Sequence, residues 1–281
     1  MVFSPQVEAF RELHRAGCFV MPNPWDIGTA RYLRAQGFKA LATTSAGFAF
    51  TLGRADQDVG AELMLPHIGE IVRAASDLPV NADFENGYAD APEGVAENVR
   101  RCVATGVAGL SIEDATGRSD QPLYDLSLAV ERVQAAREAI DQTKSGVMLT
   151  ARAECFLTGH ETPLKESVRR IAAYADAGAD VLYAPGPKTI ADMKEIVAAA
   201  KGRPVNILVH GDFGLSVDEI AAAGARRISI GGALARAAWA AFMTATATIA
   251  KEGRFTGFAN NGGSAPLTAF LRADFRERGG A

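Results

Sequence analysis

The chain has 281 residues, 48% hydrophobic and 22% charged, with a formal net charge of −4. That composition excludes a disordered tail, a collagen-like chain and a disulfide-framework peptide. The slight excess of acid argues against a nucleic-acid partner, which calls for a basic face.

The opening stretch MVFSPQVEAFRELHR carries charges where a secretory signal needs an apolar core. The uncharged runs, such as 237–250, stop at about 14 residues, short of the ~20 that a spanning helix needs. No membrane partner is expected. Three cysteines, at 18, 102 and 155, show no CxxC spacing. A Cys-rich zinc site is therefore not expected; one disulfide stays open, and reduced thiols in a cytoplasmic protein are the simpler reading.

In chain order, the first strand candidate is CFVMP (18–22), which leads into Asn23-Pro24-Trp25-Asp26. KALATTS (39–45) follows Gly37, PVNAD closes at Asp83, and AGLSIED follows Gly106. VMLTAR (147–152), DVLYAPG after Gly178, PVNILV (204–209) and RRISIGG after Gly224 complete the set. Each is short, apolar and bounded by Pro, Gly or Asp, as in strands buried on both faces of a parallel sheet. A small residue and a Gly recur before four of them, the pattern of a helix that stops at a left-handed Gly. Amphipathic helices are predicted between them: AELMLPHIGEIVRAAS, EGVAENVRRCVATG, DLSLAVERVQAAREAI, ESVRRIAAYADAG and KTIADMKEIVAAA. Asp125 and Thr189 are candidate N-caps.

About eight strand–helix units of ~35 residues predict a (β/α)8 TIM barrel, with a doubly wound sheet as the alternative. No linker divides the chain, so residues 1–281 are expected to form one domain. The tail, 251–281, is expected to be a C-terminal helical extension beyond the eighth unit.

Barrel chemistry sits at the C-terminal ends of the strands. There the sequence places Ser45-Ala46-Gly47 and then Asp56 and Asp58; Asp83 and Glu85; Glu113 and Asp114; Arg152 and Glu154; Asn206 and His210. Several carboxylates in one cleft need a counter-charge. A hard divalent cation supplies it, and oxygen ligands select Mg2+ or Mn2+ over zinc. The alternative is that these acids cap helices or form ion pairs. Arg152 suits a two-point grip on a substrate carboxylate. Ser45 can present its hydroxyl and backbone N–H groups to an oxyanion, or simply form a tight turn. His210 is a candidate acid/base. Gly231-Gly232 can cradle a phosphate or serve close packing.

The ordered set NPWDIGTAR, TTSAGFAFTLGRAD, VNADFENGYAD, GLSIEDATG and TARAECF resembles the isocitrate lyase/phosphoenolpyruvate mutase superfamily over about residues 15–245. The resemblance implies a Mg2+-dependent (β/α)8 enzyme. It would break or form C–C or P–C bonds in small 2-oxo or 2-hydroxy acids through an enolate, as a homotetramer or dimer in which the extension 251–281 is used in oligomer packing. It implies Asp83 as direct metal ligand, Glu85 acting through water, and Glu113 and Asp56 completing the acidic set. It implies an oxyanion turn at Ser45-Ala46-Gly47, a substrate-carboxylate grip by Arg152 and a substrate contact by Asn206. The catalytic group is then Ser45, Glu113, Arg152 and His210, with a loop residue or water as alternative proton donor.

The sequence departs from the family at residues 115–122, ATGRSDQP, where isocitrate-type lyases carry a Cys-containing basic loop. The mutase loop with its Lys and Asn is absent too, and Tyr183-Ala184-Pro185-Gly186 replaces an acidic residue after the sixth strand. The expected activity is a lyase or decarboxylase acting on a small 2-oxo or 2-hydroxy (di)carboxylic acid. Phosphonopyruvate hydrolase or phosphoenolpyruvate mutase chemistry, and a non-catalytic 2-oxo acid-binding barrel, are the alternatives.

Overall fold

A computed structural model describes residues 3–259 and 262–279; Asn260, Asn261 and the last two residues of the predicted extension lie outside them. The elements run α1 (Pro5–Leu13), β1 (Phe19–Met21), α2 (Ile27–Ala35), β2 (Leu41–Ala42), α3 (Ser45–Thr51), α4 (Ala61–Ala75) and β3 (Val80–Asp83). They continue with α5 (Pro92–Val103), β4 (Gly109–Glu113), α6 (Leu126–Thr143), β5 (Met148–Arg152), α7 (Pro163–Asp176), β6 (Val181–Tyr183) and α8 (Ile190–Ala199). Then come β7 (Val205–Leu208), α9 (Val217–Ala222), β8 (Arg227–Ser229), α10 (Ala233–Glu252), a 3-10 turn (Thr256–Phe258) and α11 (Ala265–Glu277).

All eight predicted strands are present and all pair in parallel, in the order β1-β8-β7-β6-β5-β4-β3-β2. Across the remaining seam, the Ala42 N–H donates to the Pro22 carbonyl at 3.0 Å. The strands thus curl round into a (β/α)8 barrel, not a doubly wound sheet. The strand residues are almost all buried, because helices cover the outside and side chains fill the inside. Gly37, Gly106, Gly178 and Gly224 all have positive φ, so the recurring Gly marks the helix-to-strand switch. Thr189 caps α8 as predicted. Asp125 occupies the N-cap of α6, but its side chain makes no capping bond.

The barrel bottom is closed by α1. The His14 ring packs edge-on to Phe10 and Phe19, with ring centroids 4.6 and 5.1 Å away. Burial and the Arg227 charge lower the His14 pKa to about 3, so the ring is neutral. Its Nδ1 donates to the Phe10 carbonyl at 2.7 Å, which leaves Nε2 facing the buried Arg227. All three cysteines are free, and Cys102 and Cys155 are core residues.

The tail adds an element that the charge pattern understated. Taken whole, α10 is 20 residues long and, by length and composition, apolar enough to cross a membrane; little of it is buried. The 3-10 turn folds back on it, with Gly257 so close to Ala245 that a Cβ there would sit 2.6 Å from the Ala245 Cα. From there α11 returns to α2. Arg31 pairs with Asp274 at 3.3 Å, and Tyr32 meets Phe270 edge-on at 5.2 Å.

Candidate active site

A cavity of about 500 Å3 opens at the C-terminal ends of the strands. Its walls include Ser45, Ala46, Asp56, Asp83, Glu85, Glu113, Arg152 and His210, eight of the predicted site residues. A second chamber of about 540 Å3 adjoins it and shares Gln57, Glu85, Glu113 and Ala115.

Arg152, at the end of β5, is the hub. Its Nη1 lies 3.3 Å from Asp83 Oδ1 and 3.2 Å from Glu113 Oε2, while its Nε donates to Glu154 Oε1. The guanidinium also lies over the Tyr183 ring, 5.0 Å from its centroid. Parallel pairing creates this convergence: Glu113 of β4 is in register with Arg152 of β5, and Arg152 with Tyr183 of β6. Burial alone would disfavour the Arg152 charge. The carboxylates of Glu154, Glu113 and Asp83 outweigh it and hold the group protonated.

Asp83 is fixed from both sides. Its backbone N–H donates to Thr43 Oγ1 at 2.9 Å. Its Oδ2 accepts from both the Ser45 N–H and the Ser45 hydroxyl at 3.0 Å. Ser45 also reaches Asp56 Oδ1 at 3.4 Å. The predicted oxyanion turn is thus the first turn of α3. There the Ser45 N–H holds Asp83, and the Gly47 N–H donates to the capping Thr44 Oγ1 at 3.1 Å. Gly47 has no room for a side chain: an added Cβ would lie 2.5 Å from Thr44 Cγ2 and 2.9 Å from Trp25 Cβ.

Glu85 sits beyond β3 with φ at +43°, a left-handed conformation that a non-Gly residue rarely adopts. Its carbonyl accepts from the Glu113 N–H at 2.8 Å, and its buried Oε1 has no hydrogen-bond partner. Burial, and then the Asp83 and Asp56 charges, push its carboxyl up to about 8. Burial also raises the Asp56 carboxyl, with the Asp83 charge adding to it. Glu113 is raised well above the carboxylate range, chiefly by burial against which Arg152 pulls.

Two predicted residues sit differently. Asn206 is fully buried beneath the cavity; its amide donates to Ser229 Oγ at 2.8 Å and accepts from Arg227 Nε at 2.8 Å. Arg227 also reaches Thr150 Oγ1 at 3.1 Å, so Asn206 belongs to the barrel's polar interior. Gly231 and Gly232 do line the cavity, but the Gly231 N–H donates to Asn23 Oδ1 at 2.9 Å instead of facing a phosphate. His210 is half-buried on the wall; burial and the charges of Arg236 and Lys188 lower its pKa, and its buried Nδ1 has no partner. The predicted site lacked Tyr183, Arg236 and Gln57, which also line the cavity, and gave no role to Glu154. Glu154 was readable as a second charge at the end of β5. Arg236 is one helical turn into α10, beyond a strand-end search.

The phosphoenolpyruvate phosphomutase sequence family matches residues 10–250. The chain belongs to this family. Oxaloacetate decarboxylase from Bradyrhizobium diazoefficiens is 31% identical over 218 residues, spanning 73% of this chain and 71% of the relative. A solved Burkholderia cenocepacia J2315 protein, assigned provisionally as a lyase/mutase, is 46% identical with a TM-score of 0.90, over 95% of this chain and 96% of its own. Oxaloacetate acetylhydrolase in complex with its product oxalate is 25% identical with a TM-score of 0.82, over 98% of both chains. The barrel is thus a member of the phosphoenolpyruvate mutase/isocitrate lyase superfamily, whose enzymes include lyases of small acids.

Proposed function

We propose that this protein is a divalent-cation-dependent lyase or decarboxylase that cleaves a C–C bond in a small 2-oxo or 2-hydroxy (di)carboxylic acid through an enolate. The observation that carries the reading is Arg152 set among Asp83, Glu113 and Glu154 at the wall of one strand-end cavity. The oxaloacetate enzymes among its relatives support the substrate class.

Among the described residues, no three carboxylate, imidazole or thiol groups converge closely enough to hold a bare ion. The donor set instead fits a hydrated hard cation, which takes one or two carboxylates and keeps several waters. The unpartnered buried Oε1 of Glu85, beside the desolvated acids Asp56 and Glu113, calls for such a counter-charge. Asp83, with Glu85, Glu113 and Asp56 around it, would hold Mg2+ or Mn2+, which supplies Lewis-acid polarisation of the 2-oxo group.

The chain's own residues do the rest. Arg152 binds the C1 carboxylate through its charged fork. The Ser45 hydroxyl and N–H, at the head of α3, both donate to Asp83 Oδ2 and so orient the carboxylate that would hold the cation; the bond beyond C3 breaks and its electron pair enters the C2–C3 enolate. His210, on the cavity wall, is the candidate to deliver a proton to C3 from its protonated form, with a loop residue or water as the alternative donor. The loop Ala115–Leu123, closed by its antiparallel bridge, lines the adjoining chamber with Ala115, Thr116 and Gly117.

The same reading takes the protein as a cytoplasmic homo-oligomer, a tetramer or dimer. Trp239, Phe242 and Met243 on α10 and Leu267, Leu271 and Phe275 on α11 form an apolar exposure that suits burial against further copies. The test of activity is a pyruvate-release assay over small 2-oxo, 2-hydroxy and phosphono acids, with and without Mg2+. Cation-dependent pyruvate release from an oxo or hydroxy acid supports the reading. Phosphate release from phosphonopyruvate alone replaces it with P–C chemistry, and tight binding without product replaces it with a binding role.

A further inference from the structure

Glu154 is nearly as buried as any residue at the cavity, at 4% exposure, yet it is not among the acids assigned to the cation. Its Oε1 accepts from Arg152 Nε. A guanidinium can meet a carboxylate side-on, through Nε and one Nη, or end-on, through both Nη atoms. With Nε taken by Glu154, the side-on grip is closed; Nη1 already donates to Asp83 and faces Glu113, so a substrate meets the end-on edge chiefly through Nη2.

The support behind Glu154 is unusually complete. Its N–H donates to Asp114 Oδ1 at 2.8 Å. Asp114 Oδ2 in turn accepts from Arg170 Nη1 at 3.0 Å and from the Tyr174 hydroxyl. Arg170 is held by Glu166 Oε1 at 2.8 Å. The Asp114 N–H also donates to the Arg152 carbonyl at 3.2 Å, so one residue ties the end of β4 to both Arg152 and Glu154. Asp114, Arg170 and Tyr174 are all buried. Buried charges of this kind are costly unless every partner is present, and a complete network holds a single geometry.

We propose that Glu154 is the positioning residue for Arg152: braced from α7 through Asp114, it pins Nε and turns the Nη edge of the guanidinium toward the substrate carboxylate. The inference rests on the reading of Arg152 as the carboxylate grip. It implies that the substrate carboxylate is presented end-on.

The test separates reach from charge. Glu154→Gln keeps an oxygen at the same distance and loses the charge; Glu154→Asp keeps the charge and withdraws it by one methylene. Oxalate binding in the presence of Mg2+ is measured by calorimetry on the whole protein, with thermal unfolding alongside. Glu154→Asp is expected to weaken oxalate about tenfold or more, since small misplacements at a site are costly. Glu154→Gln should stay within about threefold of the wild type, because the accepting oxygen remains. A purely structural ion pair would lower the melting temperature and leave both affinities alone, and that result overturns the proposal. Should Glu154→Asp not fold, Tyr174→Phe carries the test from outside the cavity: severalfold weaker oxalate supports the brace, and unchanged affinity refutes it. If the wild type itself binds no oxalate with Mg2+, the reading of the site fails and this inference falls with it. If the wild type binds and Glu154→Asp binds equally, only the positioning role is lost.

Discussion

Glu85 places a measurable load on the cation-free fold. Burial and the neighbouring Asp83 and Asp56 charges raise its carboxyl from 4.5 to about 8. At about 1.4 kcal/mol per tenfold change in proton affinity, the rise corresponds to about 5 kcal/mol. The sign follows from proton counting. Below about pH 4.5 both folded and unfolded chains keep the proton. Between there and about pH 8 the unfolded chain releases it and the folded chain does not, so stability falls as pH rises and levels off beyond. Glu85→Gln cannot ionise and escapes this loss. Urea unfolding in EDTA, repeated from pH 5 to 9, should show the wild type falling away from the variant, with the variant the more stable at pH 8. Asp56 and Glu113 shift in the same direction, so the difference between the two proteins isolates Glu85. Parallel curves would refute the reasoning, because they would mean that Glu85 is solvated or already neutralised.

Other substitutions probe other walls of the site. Gly47→Ala forces a methyl against Thr44 and Trp25 and should cost about 1–3 kcal/mol in denaturant unfolding, with the head of α3 displaced. Arg152→Lys keeps a positive charge but loses the planar fork; oxalate affinity measured with Mg2+ should drop about 100-fold, and a drop of less than about threefold would deny the two-point grip. His210→Gln should lower turnover about 100-fold while leaving oxalate affinity unchanged; undiminished turnover would remove His210 as the proton donor.

The barrel was legible because its strands are covered on both faces. Runs such as Val80–Asp83 and Gly109–Glu113 carry a signal that needs no knowledge of partners. The acids and Arg152 were legible for the same reason, since a strand end fixes where a side chain must emerge. What escaped depends on contacts across the barrel. Asn206 stands at a strand position suited to substrate, but the buried Arg227 opposite draws its amide into the interior. Ser45-Ala46-Gly47 reads as a turn offering free N–H groups, whereas α3 starts there and spends the Gly47 N–H on its cap. The apolar reach of α10 was understated because Arg236, Lys251 and Glu252 interrupt or bound the uncharged run while the helix continues past it. The brace behind Arg152 draws on α7, whose Arg170 and Tyr174 look like ordinary amphipathic helix residues until Asp114 is seen between them.

The account's central claim is that this cavity binds a 2-oxo acid together with a divalent cation. Titration of oxalate into the whole protein, once with Mg2+ and once with EDTA, tests it most directly. Tight binding with Mg2+ and none measurable with EDTA is the predicted result, and the Mg2+ signal should vanish in Asp83→Ala. Equal binding with and without the cation would contradict it.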